Sequence, residues 1–151
     1  MFVNNYDRVI GVTSLYILIP FFYAPRLEQF FLLALTGVSL FHWSDYENKI
    51  YHVADNITAT FVFSWYVLKC WLYPNGYCLL SSCCALLSIL AFICRRNTRN
   101  LALESNNIVY IIPHALFRFF SFWFVMFVYG VYYSWTLTIL YWLTVLFLYQ
   151  F

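Results

Sequence analysis

Hydrophobic and polar positions divide the chain into six long apolar runs with short polar breaks between them. The runs cover residues 9–24, 29–45, 54–73, 77–94, 108–129 and 133–151. Runs of this length and apolarity predict membrane-spanning helices. Asn4, Asn5, Asp7 and Arg8 precede the first run, which has Pro20 near its far end. No small-x-small cleavage site follows it, so it reads as a retained span rather than a signal peptide. Pro25, Arg26 and Glu28 make a tight turn after it. The second run is short for a span and continues helically toward Asp45, ahead of a polar linker over 44–51. Pro74-Asn75-Gly76 closes the third run with a strong turn signal. The fourth stops at the basic linker from Arg95 to Asn107. From Ile108 onward the chain is almost continuously apolar. One helix of that length would be about twice the hydrocarbon thickness of a bilayer, so it turns once, near Gly130 to Ser134.

Composition points the same way. Hydrophobic residues make up 64% of the chain, aromatic residues 25% and charged residues only 9%, with a mean hydropathy of +0.75. A domain of this size leaves much of its surface exposed and cannot hide that share of apolar side chains from water. The expectation is an all-α, polytopic transmembrane helical bundle of about six spans, with residues 1–151 forming a single multi-pass integral membrane domain. Arg8, Lys49, Arg95, Arg96 and Arg99 fall on one side of that topology, against Arg26 and Lys69 on the other, which puts both termini on the cytosolic side. Membrane lipids and other membrane-protein subunits are the implied partners. A net charge of +2 with no basic stripe excludes nucleic acid.

The cysteines carry little chemistry at this level. No CxxC spacing exists, so a cysteine-based zinc site is excluded. Cys83 and Cys84 read as small core residues, and Cys94 beside Arg95 and Arg96 suits either a structural role or reversible acylation. Cys70 and Cys78 flank a short loop and would pair only in an oxidising compartment. Trp71, Tyr73, Tyr77, Tyr132, Tyr133 and Trp135 cluster near the predicted interfaces and fit aromatic belts. The sequon Asn56-Ile57-Thr58 falls inside a predicted span and is expected to be silent. No P-loop, nucleotide fingerprint or nucleophile elbow is present.

The stretch from Gly37 to Asp55 and the segment around His114 hold the candidate chemistry. Ionisable residues inside a membrane are functional candidates, because facing lipid costs them several kcal/mol. Ser39 and His42 are three apart and share one helix face. His52 and Asp55 are also three apart, and His114 and Arg118 are four apart. Pro113 is expected to loosen the helix before His114 and free a carbonyl.

Ser39 with His42, then Asp55, then His114-Ala115-Leu116-Phe117-Arg118 resemble the membrane hydrolase superfamily that includes alkaline ceramidases and the progestin and adiponectin receptors. In that superfamily a Ser-x-x-x-His pair ends one helix, an Asp starts the next, and a late helix carries His-x-x-x-His. Three histidines hold zinc there, with the Asp and Ser around the metal-bound water. The resemblance implies Ser39 and Asp55 as catalytic residues and His42 and His114 as metal ligands, with His52 or Asp55 as the nearby substitute for the missing third ligand. Ser39 is three residues before His42 rather than four, a rotation of about 100°. Arg118 stands where the third histidine would be, and the chain has one helix fewer than the family's seven.

Arginine has no lone pair and cannot ligate zinc. Arg118 is therefore expected to form a structural ion pair with Asp55 through a forked hydrogen bond. Three functions remain open. The first is a structural or accessory membrane subunit with an intramembrane Asp-Arg-His cluster and no cofactor. The second is a divergent or inactive hydrolase-like protein, zinc-dependent and acting on a lipid amide or ester. The third is a minimal transporter or channel subunit. The pattern leans away from an enzyme.

Overall fold

A computed structural model gives the arrangement of the chain and describes residues 2, 4–96, 98–105 and 107–151. Asn97 and Asn106 of the basic linker lie outside the described residues. Among these residues the chain forms seven α-helices: α1 (Asn5–Thr13), α2 (Arg26–Ser44), α3 (Lys49–Leu72), α4 (Cys78–Arg95), α5 (Thr98–Ser105), α6 (Ile112–Val128) and α7 (Trp135–Gln150).

The expected six-span bundle is corrected by these helices. Residues 9–24 are not one helix, because α1 gives way to two 3-10 segments, Ser14–Leu18 and Pro20–Tyr23. The Thr13 and Ser14 hydroxyls both donate to the Ile10 carbonyl, each at 3.0 Å, which competes with helix propagation. Pro20 then withholds a backbone donor. α2 and α3 are 19 and 24 residues long but carry Arg26 and Glu28, and Lys49, Asp55 and Lys69, respectively. α6 and α7 have only 17 and 16 residues. Among the described residues one helix, Cys78–Arg95, is long and apolar enough to cross a membrane. The architecture is an all-α helical bundle, and the multi-pass integral-membrane assignment with both termini cytosolic is withdrawn. Its partners, membrane lipids and membrane-protein subunits, are withdrawn with it. Composition misled because it averages over the chain, whereas a span needs about twenty consecutive apolar helical residues.

α6 is the central helix. It buries ten of its 17 residues, from His114 to Val128, and packs most extensively against α4. α4 meets it through a stripe of small residues, Ser81, Ala85, Ser88 and Ala91. Small side chains let the two backbones approach, and Ser88 Oγ lies 2.6 Å from Ser121 Oγ across the contact. The leucines and isoleucines of α4 point outward, as do many apolar residues of α3 and α7.

Turn chemistry sets the ends. Asn4 caps α1 by accepting from the Asp7 amide at 2.8 Å, and Asn48 caps α3 by accepting from Ile50 at 3.0 Å. α6 ends at Gly130, whose φ of +72° is left-handed. The amides of Gly130 and Val131 close back on the carbonyls of Phe127 and Met126 at 2.9 and 3.1 Å, a Schellman ending. Asn75, in the α3–α4 turn, donates to the carbonyls of Phe127 and Val128 at 3.1 and 3.0 Å.

Each end of the bundle has a polar knot. At one, Asn5 donates to the Tyr149 carbonyl at 3.1 Å and Arg99 of α5 faces Asp7 of α1 at 3.5 Å. At the other, buried Glu28 accepts from Lys69 at 2.6 Å, from Trp65 at 3.2 Å and from the Tyr129 hydroxyl.

Candidate functional site

A cavity of about 360 Å³ opens at the α1–α5 end of the bundle. Its aromatic wall is Tyr6, Trp43, Tyr46 and Phe92; its polar lining is His42, His52, Asp55, Asn56, Arg95, Arg96, Arg99 and His114. The helices deliver these side chains by simple rules. His42 and Trp43 lie in the last turn of α2. The Asn48 cap starts α3 so that His52, Asp55 and Asn56 follow within two turns on neighbouring faces. Arg95 ends α4, where carbonyl dipoles favour a cation. Pro113 sits in the first turn of α6, where an amide would be unpaired anyway. It therefore starts the helix rather than loosening one, and the His114 amide bonds the Ile111 carbonyl at 3.1 Å.

His114 is held at both ring nitrogens. Arg95 Nη1 lies 2.7 Å from Nε2, and Tyr6 Oη lies 2.8 Å from Nδ1. Arginine can only donate, so Nε2 accepts and Nδ1–H donates to Tyr6. Burial drives His114 well below its ordinary pKa, with Arg95 acting in the same direction, so the ring is neutral. Arg95 lies over Phe92 at 4.2 Å and Phe117 at 5.0 Å, and burial lowers it to about 10.

His42 and His52 form a second chain. Asn56 Nδ2 donates to His52 Nε2 at 3.1 Å, and His52 Nδ1 lies 3.5 Å from His42 Nε2. This order leaves the proton of His42 on Nδ1, which is buried and without a partner. Burial pushes His42 down to about 4, against the pull of the Asp55 carboxylate. Arg99 stacks on Tyr46 with its guanidinium carbon 3.4 Å from the ring centroid.

Arg118 lies deeper and does not do what the sequence suggested. Its Nη2 donates to Ser39 Oγ at 2.6 Å, and Ser39 in turn lies 3.3 Å from Ser14 Oγ. Among the described residues the ion pairs are Lys69–Glu28 and Arg99–Asp7, and Asp55 with Arg118 is not one of them. Asp55 Oδ1 is buried without a hydrogen-bond partner, although its charge still favours the protonated forms of Arg118 and His42.

The residues do not fit a metal ion. The Nε2 lone pair of His114 is taken by Arg95 and its Nδ1 carries a proton, so neither nitrogen can ligate. Among the described residues, no group of three or more His, Cys, Asp or Glu side chains is placed to hold a metal. The zinc set of His42, His52 and His114 is therefore corrected. His42 and His52 contact each other, whereas His114 belongs to Tyr6 and Arg95. Ser39 serves Arg118 rather than a metal-bound water.

Sequence reasoning passed over Arg95, Arg99, Tyr6 and Tyr46, treating the arginines as a topogenic linker. Arg95 and Arg99 stand four apart, but the intervening break between α4 and α5 hides their convergence. It also used Lys69 only to set orientation and Glu28 as part of a turn, and the two are bonded.

Comparison with protein-family models, with curated proteins and with solved structures gives no match to this chain. The resemblance to the alkaline ceramidase and progestin and adiponectin receptor superfamily is corrected with the metal set on which it depended. The accessory membrane subunit, the hydrolase-like protein and the transporter subunit each required a multi-pass bundle or a histidine-held metal, and all three are set aside.

Proposed function

We propose that the chain binds a small organic anion with a planar apolar body in the cavity at the α1–α5 end of the bundle. The observation that carries this is the charge of the lining, where three arginines stand against one carboxylate, Asp55. The three histidines of the lining add hydrogen-bonding groups, and burial holds two of them, His42 and His114, neutral. A volume of about 360 Å³ lies in the usual range for small-molecule sites, and the aromatic wall suits a ring. Arg95 is positioned by His114 and by two phenylalanines, and its remaining N–H groups are available to an oxyanion. Asp55 repels negative charge from the α3 side, so the oxyanion sits toward Arg95, Arg96 and Arg99. Asp7 offsets part of the Arg99 charge, and exposed Arg96 is free of that restraint.

Calorimetric titration with phenyl phosphate, benzoate and phenol tests the reading. Both anions are expected to bind, with phenol at least about tenfold weaker, one charge-assisted contact being worth 1.4 kcal/mol or more. Arg96→Gln should weaken phenyl phosphate without affecting phenol. Equal affinity for phenol and phenyl phosphate would overturn the assignment.

A further inference from the structure

At the far end of the bundle, away from the arginine cavity, Cys70 and Cys78 come together across the α3–α4 turn. Their sulfurs lie 3.5 Å apart. Cys70 is buried near the end of α3, and Cys78 is half-buried as the first residue of α4. Cys70 Sγ also lies 3.0 Å from Ser81 Oγ, whose hydroxyl donates to the Cys78 carbonyl at 3.0 Å. The two thiols are thus fixed against each other. Cys83 and Cys94 are exposed.

We propose that Cys70 and Cys78 are a dithiol that exchanges with small-molecule disulfides, closing an intramolecular bond that locks the α3–α4 turn. The accessible Cys78 attacks first. Its thiolate forms a bond to one sulfur of the incoming disulfide, and the other sulfur leaves as a thiolate that takes up a proton. Cys70, deprotonated, then attacks Cys78 Sγ and expels the second small thiol. The protein dithiol is oxidised by two electrons and one disulfide is reduced to two thiols, so atoms and electrons balance. A disulfide has its sulfurs about 2.05 Å apart, so closure asks for an approach of roughly 1.5 Å. The non-helical residues 73–77 supply it, with Gly76 open on the side where a Cβ would stand. Closure also fixes Asn75, which caps the carbonyl end of α6, so the lock reaches the central helix. The hydrogen bond with Cys70 raises the Cys78 thiol above its ordinary pKa, so exchange should quicken by about tenfold per pH unit through neutrality.

The test equilibrates the full chain with glutathione and glutathione disulfide at stepped ratios, quenches by alkylation and maps thiols by mass spectrometry. The expected result is joint loss of the Cys70 and Cys78 thiols into one cross-linked 70–78 pair, with a higher melting temperature for the oxidised form. Cys70→Ser should instead accumulate glutathione on Cys78, and Cys78→Ser should leave Cys70 reduced. Absence of the 70–78 link at the most oxidising ratio overturns the proposal. Preferential oxidation of Cys83 or Cys94 in the wild-type chain overturns it as well.

Discussion

Arg118 and His42 are the side chains whose surroundings say most about this protein. Arg118 is buried in the bundle and finds its near partner in a serine, not in a carboxylate. A hydrogen bond to a charged group contributes about 1.5–3 kcal/mol. A double-mutant cycle on Arg118→Met and Ser39→Ala should therefore show coupling of about that size, measured by urea denaturation. The corresponding cycle on Arg118 and Asp55 should show less. His42 makes a prediction about pH. Its folded pKa, about 4, lies below the unfolded value near 6.5. The unfolded chain therefore binds more protons between those values. Stability is fully present above about pH 6.5 and is lost as pH falls toward 4. His114, also driven well below its ordinary value by burial, acts in the same direction. Melting temperature followed from pH 7.5 to 4.5 should fall, and His42→Gln should flatten part of that slope.

The helices are held by their ends as much as by their faces. Glu28 ties α2 to α3 and to the end of α6 through Lys69, Trp65 and Tyr129. Tyr129 also lies 2.6 Å from Tyr66 through the hydroxyls, and Lys69 covers the Tyr129 ring at 4.7 Å. Removing one member of a buried pair strands the other, so Glu28→Ala should cost about 3 kcal/mol in chemical denaturation. Lys69→Met on that background should recover part of the loss. Gly130 offers a cleaner backbone test. A Cβ there would meet nothing closer than Asn75 Nδ2 at 3.7 Å, so the cost of Gly130→Ala is conformational alone. About 1–2 kcal/mol is expected for an L-residue held at positive φ.

On the scale of the whole molecule, charge and apolar surface are separated. Arginines collect around one cavity, while the outward faces of α3, α4 and α7 carry large apolar side chains such as Ile57, Leu79, Leu86 and Phe147. Contiguous apolar surface of this extent is uncommon on a protein that stands alone in water. The cavity makes a global prediction. A ligand at a hundred times its dissociation constant adds about 2.7 kcal/mol to stability. For a chain of this length that is about 5–10 °C in melting temperature. Phenyl phosphate should give a shift of that order, diminishing at high salt because the arginines are partly screened.

The helical content was legible in the sequence because apolar runs and their punctuation are local. Pro74-Asn75-Gly76 and Gly130 mark chain reversals through backbone chemistry that a neighbour cannot change. His42, His52, Asp55 and His114, candidates named from the sequence, line one cavity. Composition also determined that large apolar surface would exist. What the sequence could not determine is which side chain answers which. Whether a histidine lone pair is free or taken depends on an arginine nineteen positions away, Arg95 on His114. Whether Arg118 meets Asp55 or Ser39 depends on how α2, α3 and α6 rotate against one another. A run of apolar residues fixes the tendency to form helix, but helix breaks at Ser14 and Pro20 and the contacts between helices decide the rest. Hydrogen bonds act over about 3 Å, and only the folded chain sets distances of that size between residues far apart in sequence.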